Sequence, residues 1–418
     1  MEIRALVFQD RMRLSAWLVR LAALALSLGI AGAAGGGASG DRAFLEQHWR
    51  RPIPPQGMPP ARFSTLEKSL APSSCGTCHP AQLADWRTSR HARSMAPGVS
   101  GQLVGMWSRD PESAQICASC HAPLAEQQPK IAVHGRLGPN PDFDAGLQRA
   151  GVTCAACHVR HHERFGPPRR DRSLASSTSR GNLPHNGVTR TAAFTRSEFC
   201  ASCHQFTADD LALNGKLLEN TYEEWKRSPA ARSGRQCQDC HMPDRRHLWR
   251  GIHDPAMVKS GVEITVTTEQ PRYRPGEEVA ALIAVNNVGV GHDFPTYVTP
   301  RVVVRASLVD RQGTAVPDSA REYVIGREVA LDLSREISDT RIPPGERASF
   351  RYRQRLPGPG LALRVTVTVY PDHFYTAFFK SLLASGNTDT GAPDIRQALE
   401  ATQRSAFAIF NQDVPLTR

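Results

Sequence analysis

Cys75-Gly-Thr-Cys78-His79 opens a series on which the reading of the whole chain turns. The pattern returns as Cys117-Ala-Ser-Cys120-His121, Cys154-Ala-Ala-Cys157-His158, Cys200-Ala-Ser-Cys203-His204 and Cys237-Gln-Asp-Cys240-His241. These five copies use all ten cysteines of the 418-residue chain. Two cysteines separated by two residues, with histidine immediately after the second, form the attachment pattern of haem c. The thiols form thioethers with the porphyrin vinyl groups, and the histidine supplies the proximal iron ligand. Five disulfides, zinc sites or redox dithiols would use the same cysteines. None of these requires a histidine after every second cysteine. With 15 histidines in the chain, one falls at a given position with a chance of about 4%, so five in a row have odds of roughly one in ten million. Five covalent haem c groups with their iron are therefore the expected cofactors, and no other metal is expected.

Outward from this series, residues 1–40 read as a signal peptide. Arg11, Arg13 and Arg20 precede the apolar run from Leu21 to Ala34, and small residues follow at Ala31-Gly32-Ala33 and Ala38-Ser39-Gly40. A run of about 14 residues is short for a bilayer span, although an uncleaved anchor is the alternative. Export places the cysteines in an oxidising compartment. Residues 41–74, with Pro52, Pro54, Pro55, Pro59 and Pro60, read as a Pro/Arg-rich linker in an extended arm. Residues 75–260 form the pentahaem domain. Its interior is expected to be filled largely by porphyrin, which accounts for an aromatic content of only 7%. Short helices are expected there, clearest at Pro80 to Arg93 and Thr221 to Arg232.

From Gly261 the pattern alternates, in Val262 to Thr268, Val279 to Val285, Val302 to Val309, Ala348 to Gln354 and Leu363 to Val369. Turn signals at Tyr273-Arg-Pro-Gly276 and Ile342-Pro-Pro-Gly345 separate the runs. This spacing predicts a β-sandwich of immunoglobulin-like type over residues 261–370. Residues 371–418 read as a C-terminal helical segment, at Asp372 to Leu383 and Ala392 to Arg404. The fold class is thus α+β multidomain: a mostly α and irregular haem-packed domain, then a β-sandwich, then helices.

Ten histidines lie outside the motifs. Five are the candidates for distal iron ligands: His91, His185, His247, His253 and His292. His91 lies 12 residues after His79 on an expected helix, about 18 Å further along at 1.5 Å per residue, so it should serve a neighbouring iron. His185 sits in the loop Leu183-Pro-His-Asn-Gly187, His247 and His253 lie just beyond the fifth motif, and His292 sits in a loop between strands. His161 and His162 follow the third motif too closely for unstrained self-ligation, and His134 ranks behind the five. For each, the alternative is a surface histidine or a hydrogen-bond donor to a propionate. A faint repeat relates Trp86-Arg-Thr-Ser-Arg-His-Ala-Arg-Ser94 to Trp225-Lys-Arg-Ser-Pro-Ala-Ala-Arg-Ser233. Ala230 stands in the place of His91, and each tryptophan is expected to pack on a haem face.

The stretch Cys75-Gly-Thr-Cys-His-Pro-Ala-Gln-Leu-Ala-Asp-Trp-Arg-Thr-Ser-Arg-His91 resembles the opening of the multihaem cytochrome c-554 family, and Gly151-Val-Thr-Cys-Ala-Ala-Cys-His158 is similar to its mid-chain haem site. The resemblance implies that His91 is a distal ligand. Gly291-His-Asp-Phe-Pro-Thr296 resembles a segment in the β-rich tails of related multihaem proteins. The chain departs from the family in having five motifs where the cytochrome c-554 type has four haems, and in its β-rich tail.

Electron transfer between redox partners, through closely spaced and mostly bis-histidine haems, is the expected function. The alternative is an oxidoreductase of the nitrite reductase or hydroxylamine oxidoreductase type, with one open iron. Pentahaem nitrite reductases commonly mark that iron with C-x-x-C-K, whereas all five motifs here end in histidine. No catalytic side chain is assigned. The expected partners are redox proteins among membrane or periplasmic electron carriers, met in the periplasm, at a membrane or at the outer surface. The β-sandwich is a candidate docking module. A net charge of +11 first suggests nucleic acid. However, residues 75–260 alone carry a surplus of seven, whereas residues 261–418 balance at eighteen of each sign. Five haems bring about ten propionate charges to that basic region, so the charge has a partner within the protein and nucleic acid is not one.

Overall fold

The computed structural model describes residues 35–133, 136–175, 183–386 and 388–416, so the basic and apolar parts of the expected signal peptide, and His134, lie outside the described residues. Residues up to His48 form a unit of their own. Its helix Gly35–His48 runs across the expected end of the signal at residue 40 and carries an Arg42–Glu46 ion pair at 3.0 Å. Everything from Trp49 onward forms one compact body.

The expected extended arm at 41–74 is corrected by this structure. Beyond the helix it carries two further short helices, Thr65–Lys68 and Pro72–Gly76, and it is packed. Ile53 and Phe63 are buried, and Ile53 bridges to Leu124 and joins a cluster with Leu147, Ala155, Ala156 and Val159. The prolines around Ile53 lack N–H groups, so this stretch lies in a groove while leaving few backbone donors to satisfy.

Between Cys75 and Gly261 the chain forms short helices joined by loops. Each motif is helical or adjoins a helix: Pro72–Gly76, Pro111–His121, Cys154–His158, Glu198–His204 and Cys237–His241. In a helix, positions i, i+3 and i+4 share a face. In the four motifs that lie wholly within a helix, both cysteines and the histidine therefore share a face. The two expected long helices are each broken. Helix α1, Pro80–Thr88, stops where Ser89 turns extended and its hydroxyl donates to Trp86 O at 2.7 Å, and His91 starts a separate single turn. The second divides into Thr221–Lys226 and Pro229–Arg232, because Pro229 has no N–H to continue the ladder.

From Val262 the expected strands appear almost residue for residue: β1, Val262–Thr268; β2, Glu278–Asn287; β3, Arg301–Val309; β5, Arg347–Arg355; and β6, Ala362–Tyr370. Four strands were not expected: a separate antiparallel pair at Arg327–Val329 and Glu336–Asp339, and two that join the main set, β4 at Arg321–Ile325 and β7 at Phe407–Pro415. Strands β1 to β7 form two antiparallel sheets, ordered β5-β2-β1 and β4-β3-β6-β7. Both sheets feed one core that includes Ile283, Val304, Leu308, Tyr352 and Val365. The C-terminal helical segment is thus corrected in part. Helices α2, His373–Ala384, and α3, Ala392–Gln403, are present, but the chain then returns as β7 beside β6. These helices pack on the haem-bearing region at helix Pro97–Arg109. Gly391 lies against Gly101, where a side chain on Gly391 would overlap the Gly101 carbonyl.

Candidate functional site

Three motif histidines each face a histidine from elsewhere in the chain. The ring centroids are 6.4 Å apart for His204 and His91, 6.3 Å for His158 and His247, and 6.4 Å for His241 and His292. Metal–imidazole bonds of about 2 Å put the centroids of two rings on opposite sides of one metal roughly 6 Å apart. The spacing therefore suits an axial pair on an iron, and the residues fit a bis-histidine haem.

The hydrogen bonds point the same way. Nδ1 of His121 lies 2.8 Å from Ser94 O, that of His158 2.8 Å from Phe165 O, and that of His241 2.6 Å from Arg250 O. On the opposite side, Nδ1 of His247 lies 3.0 Å from Arg245 O, and that of His292 2.9 Å from Asp293 O. Holding Nδ1 on an oxygen fixes the tautomer and ring orientation and leaves the Nε2 lone pair for a metal. His204 differs, with Nδ1 2.8 Å from the Tyr297 hydroxyl. Burial lowers the pKa of His91 to about 3, and those of His158 and His204 to about 4. Neighbouring imidazoles add to each effect, so these rings remain in the neutral, ligating form at neutral pH.

The other candidates divide. His185 has Nδ1 on Gly187 O at 2.9 Å, and its backbone N–H donates to Glu67 Oε1 at 2.7 Å. Burial depresses its pKa, with smaller contributions from Arg164 and His79, which sets it near the first motif. His253 stands apart from the motif histidines in its bonding. Its Nε2 lies 2.9 Å from Asp372 Oδ1, which takes the nitrogen a ligand would use. His162 likewise spends Nε2 on Gly57 O at 2.9 Å.

The ribbon Arg245 to Arg250 reaches three motif sites. Arg246 makes a two-pronged ion pair with Asp85, at 2.7 and 2.6 Å, and the same carboxylate accepts the His247 N–H at 3.0 Å. His247 then faces His158, while the Trp249 ring lies 4.7 Å from His91 and 5.2 Å from His247. Trp249 N–H donates to His241 O, and Arg250 O holds the His241 ring. The internal repeat also finds a use. At Ala230, where the first copy has His91, the loop carrying His292 lies close, and a Cβ on Gly291 would sit 3.4 Å from the Ala230 Cβ.

Sequence reasoning missed Tyr297, Glu219, Asp85 and Trp249. The only sequence signal was the position of Tyr297 beside the Gly291-to-Thr296 segment, and of Trp249 between two candidate histidines.

None of the ten cysteines is joined in a disulfide; they lie in five motifs that are helical or adjoin a helix, and three of those motifs present an iron-spaced imidazole pair. Together these features define a multihaem c-type cytochrome with covalently bound haem c. Within that class, residues 74–139 match the family described as cytochrome c554 and c-prime, the family whose opening the sequence resembles. Among solved structures, the penta-heme cytochrome c552 from Thermochromatium tepidum shares the fold at a TM-score of 0.58 and 19% identity, covering 84% of this chain and 100% of that one. Two others are far more distant. The structural genomics target SoR45 has a TM-score of 0.18 and 13% identity over 37% of this chain and 87% of its own. The sporulation control protein Spo0M from Bacillus subtilis has 0.12 and 14% over 26% and 43%. No curated protein matches the chain.

Proposed function

We propose that this protein is an exported pentahaem cytochrome that carries electrons between redox partner proteins. The observation that carries this reading is the set of three imidazole pairs at 6.3 to 6.4 Å, each joining a motif histidine to a remote one. Bound haem c supplies a one-electron iron couple at each site. The chain's residues do the rest. The paired imidazoles would hold the iron, the oxygens bonded to Nδ1 of His158, His204, His241, His247 and His292 fix those rings, and burial keeps the pairs neutral. The motifs also adjoin, since Cys75 lies beside Cys154, Cys120 beside Cys203, and Cys200 beside Cys237. Adjacent attachment points favour short tunnelling steps between centres.

In this reading the thioether residues are the ten motif cysteines, the proximal ligands are His79, His121, His158, His204 and His241, and the distal ligands include His185, His247, His91 and His292. His185 pairs with His79. The strand order β1-β2-β5 against β4-β3-β6-β7 supports an immunoglobulin-like sandwich, which docks partners and delivers His292. Among the described residues no helix is long and apolar enough to cross a membrane. Location in the periplasm is tested by cell fractionation of the tagged protein.

Absorption and low-temperature EPR of the purified protein test the function. Five low-spin haems are expected, and His91→Ala, His247→Ala and His292→Ala should each convert one of them to high spin. Retention of five low-spin haems in all three variants would overturn the ligand assignment.

One observation favours the oxidoreductase alternative. The Tyr375 hydroxyl lies by Cys117 of the second motif. Burial raises the Tyr375 pKa, with Asp372 and Cys117 adding to it, and Arg90 lies 3.9 Å from Asp372. A high-spin haem that binds cyanide and is altered by Tyr375→Phe would establish that reading in place of the first.

A further inference from the structure

Tyr297 sets His204 apart from the other motif histidines. His121, His158 and His241 hold their Nδ1 atoms on backbone carbonyls, whereas His204 uses the side-chain hydroxyl of Tyr297 at 2.8 Å. A carbonyl is a fixed acceptor, but a hydroxyl both accepts and donates, so it passes the effects of charge onward. Tyr297 also lies beside Thr221, whose Oγ1 donates to Glu219 Oε1 at 2.9 Å. The path from the haem ligand therefore ends on a carboxyl group three side chains away.

Two carboxyl groups meet at this place and differ in their compensation. Glu224 accepts from Thr296 Oγ1 at 2.6 Å and pairs with Arg341 at 2.8 Å, so its charge is matched. Among the described residues Glu219 forms no ion pair. Burial pushes its pKa up to about 8, with Glu224 and Cys120 adding to the rise and Thr221 opposing it. The titratable groups facing Glu219 are Glu224, Tyr297 and Cys120, and Cys120 is a thioether once haem is attached.

We propose that Tyr297 is a positioning residue for His204, and that Glu219 takes up one proton when the haem held by Cys200, Cys203 and His204 is reduced. On reduction of that centre by one electron from a redox partner, the Glu219 carboxylate would take up one proton from solvent. On oxidation both leave. The iron loses one positive charge on reduction, so a nearby carboxylate is less well compensated and binds its proton more tightly. By linkage, protonated Glu219 favours the ferrous state. The inference rests on the electron-transfer reading above and adds a proton to one of its steps.

The test is a redox titration of the intact holoprotein between pH 6 and 9.5, followed by optical spectra and EPR. One couple should fall with pH by up to a tenfold change in its reduction equilibrium per unit, about 59 mV for one electron, over the range centred near the Glu219 titration. Glu219→Gln should abolish the slope, whereas Glu219→Asp, which keeps a titratable carboxyl, should retain one. Tyr297→Phe should leave the haem content unchanged but shift that same couple and its EPR signal. A slope that survives in Glu219→Gln, or is lost in Glu219→Asp, overturns the inference. So does a Tyr297→Phe protein in which every couple and signal is unchanged. Loss of low-spin haem signals in the wild-type protein would instead overturn the bis-histidine reading, so the two failures are distinguishable.

Discussion

In the β unit, Ile283, Val304, Leu308 and Val365 are each at most 1% exposed and belong to one core shared by two sheets. Between Cys75 and Gly261, the buried apolar residues fall into small groups, one around Leu124 and Ala155 and another around Leu103 and Trp107. The two regions are of comparable length but gain their order from different sources. The β unit is organised by its own aliphatic side chains, each worth about 1.5 to 3 kcal/mol when fully buried. The haem-bearing region arranges histidines, cysteines and carbonyls around its attachment points, and its remaining cohesion is expected from the covalent groups.

The largest expected effect breaks the comparison outright. Protein produced without haem attachment should lose residues 75–260 to limited proteolysis while fragments spanning 262–416 survive. Equal resistance of both regions would show that the haem-bearing region folds on its side chains alone. Next in size is Arg341→Met at the junction. Arg341 pairs with Asp339 at 2.9 Å and Glu224 at 2.8 Å, with Asp293 at 3.6 Å. Removing one partner of a buried charge network costs about 3 to 5 kcal/mol. The variant should lower the midpoint of chemical unfolding, and an unchanged midpoint would remove Arg341 from the account of the junction.

A matched pair of core truncations then sharpens the contrast. Ile283→Ala should cost about 2 to 5 kcal/mol, and Leu103→Ala in the small cluster should fall at or below the low end of that range. If the two holoproteins lose equal stability in denaturant titrations, the contrast between one core and several is wrong. The smallest effect concerns pH. Hydrogen bonding from Arg246 depresses the Asp85 pKa below its ordinary value, with His247 contributing. The stabilisation of the His247 segment is therefore present above the unfolded carboxyl value near 3.9 and is lost as pH falls through the lower folded value. A high-spin band should grow below about pH 4 in the wild type. In Asp85→Asn a fraction of that band should already be present at neutral pH, and its absence would leave Asp85 without a role in holding His247.

The same contrast explains what was legible in the sequence. Strands β1, β2, β3, β5 and β6 were readable because burying one face of a sheet imposes alternation. Strand β7 was not. Its register against β6 shifts between Val367 and Thr368, so Phe407, Ile409 and Phe410 do not keep a strict period of two. The cysteine motifs and their histidines were legible because attachment chemistry dictates their spacing. Which remote histidine meets which motif was not, since His91 faces His204 and His292 faces His241 through tertiary folding alone. His253 looked as eligible as His247 from sequence, and the difference is Asp372, more than a hundred residues away. Tyr297 carried only its place beside the Gly291-to-Thr296 segment as a signal, because its partner His204 lies in another segment.

The ribbon from Arg245 to Arg250 has a consequence for how such a protein tolerates change in length. One short piece of backbone sets the ring facing His158, the indole against His91 and the carbonyl under His241. An insertion or deletion of a single residue there would be felt at three centres together, whereas the same edit in the loop before β3 would fall mainly on the His241 and His204 sites. The ribbon thus behaves as a ruler laid across three motif sites, and its length is as much a determinant of the spacing between them as any ligand.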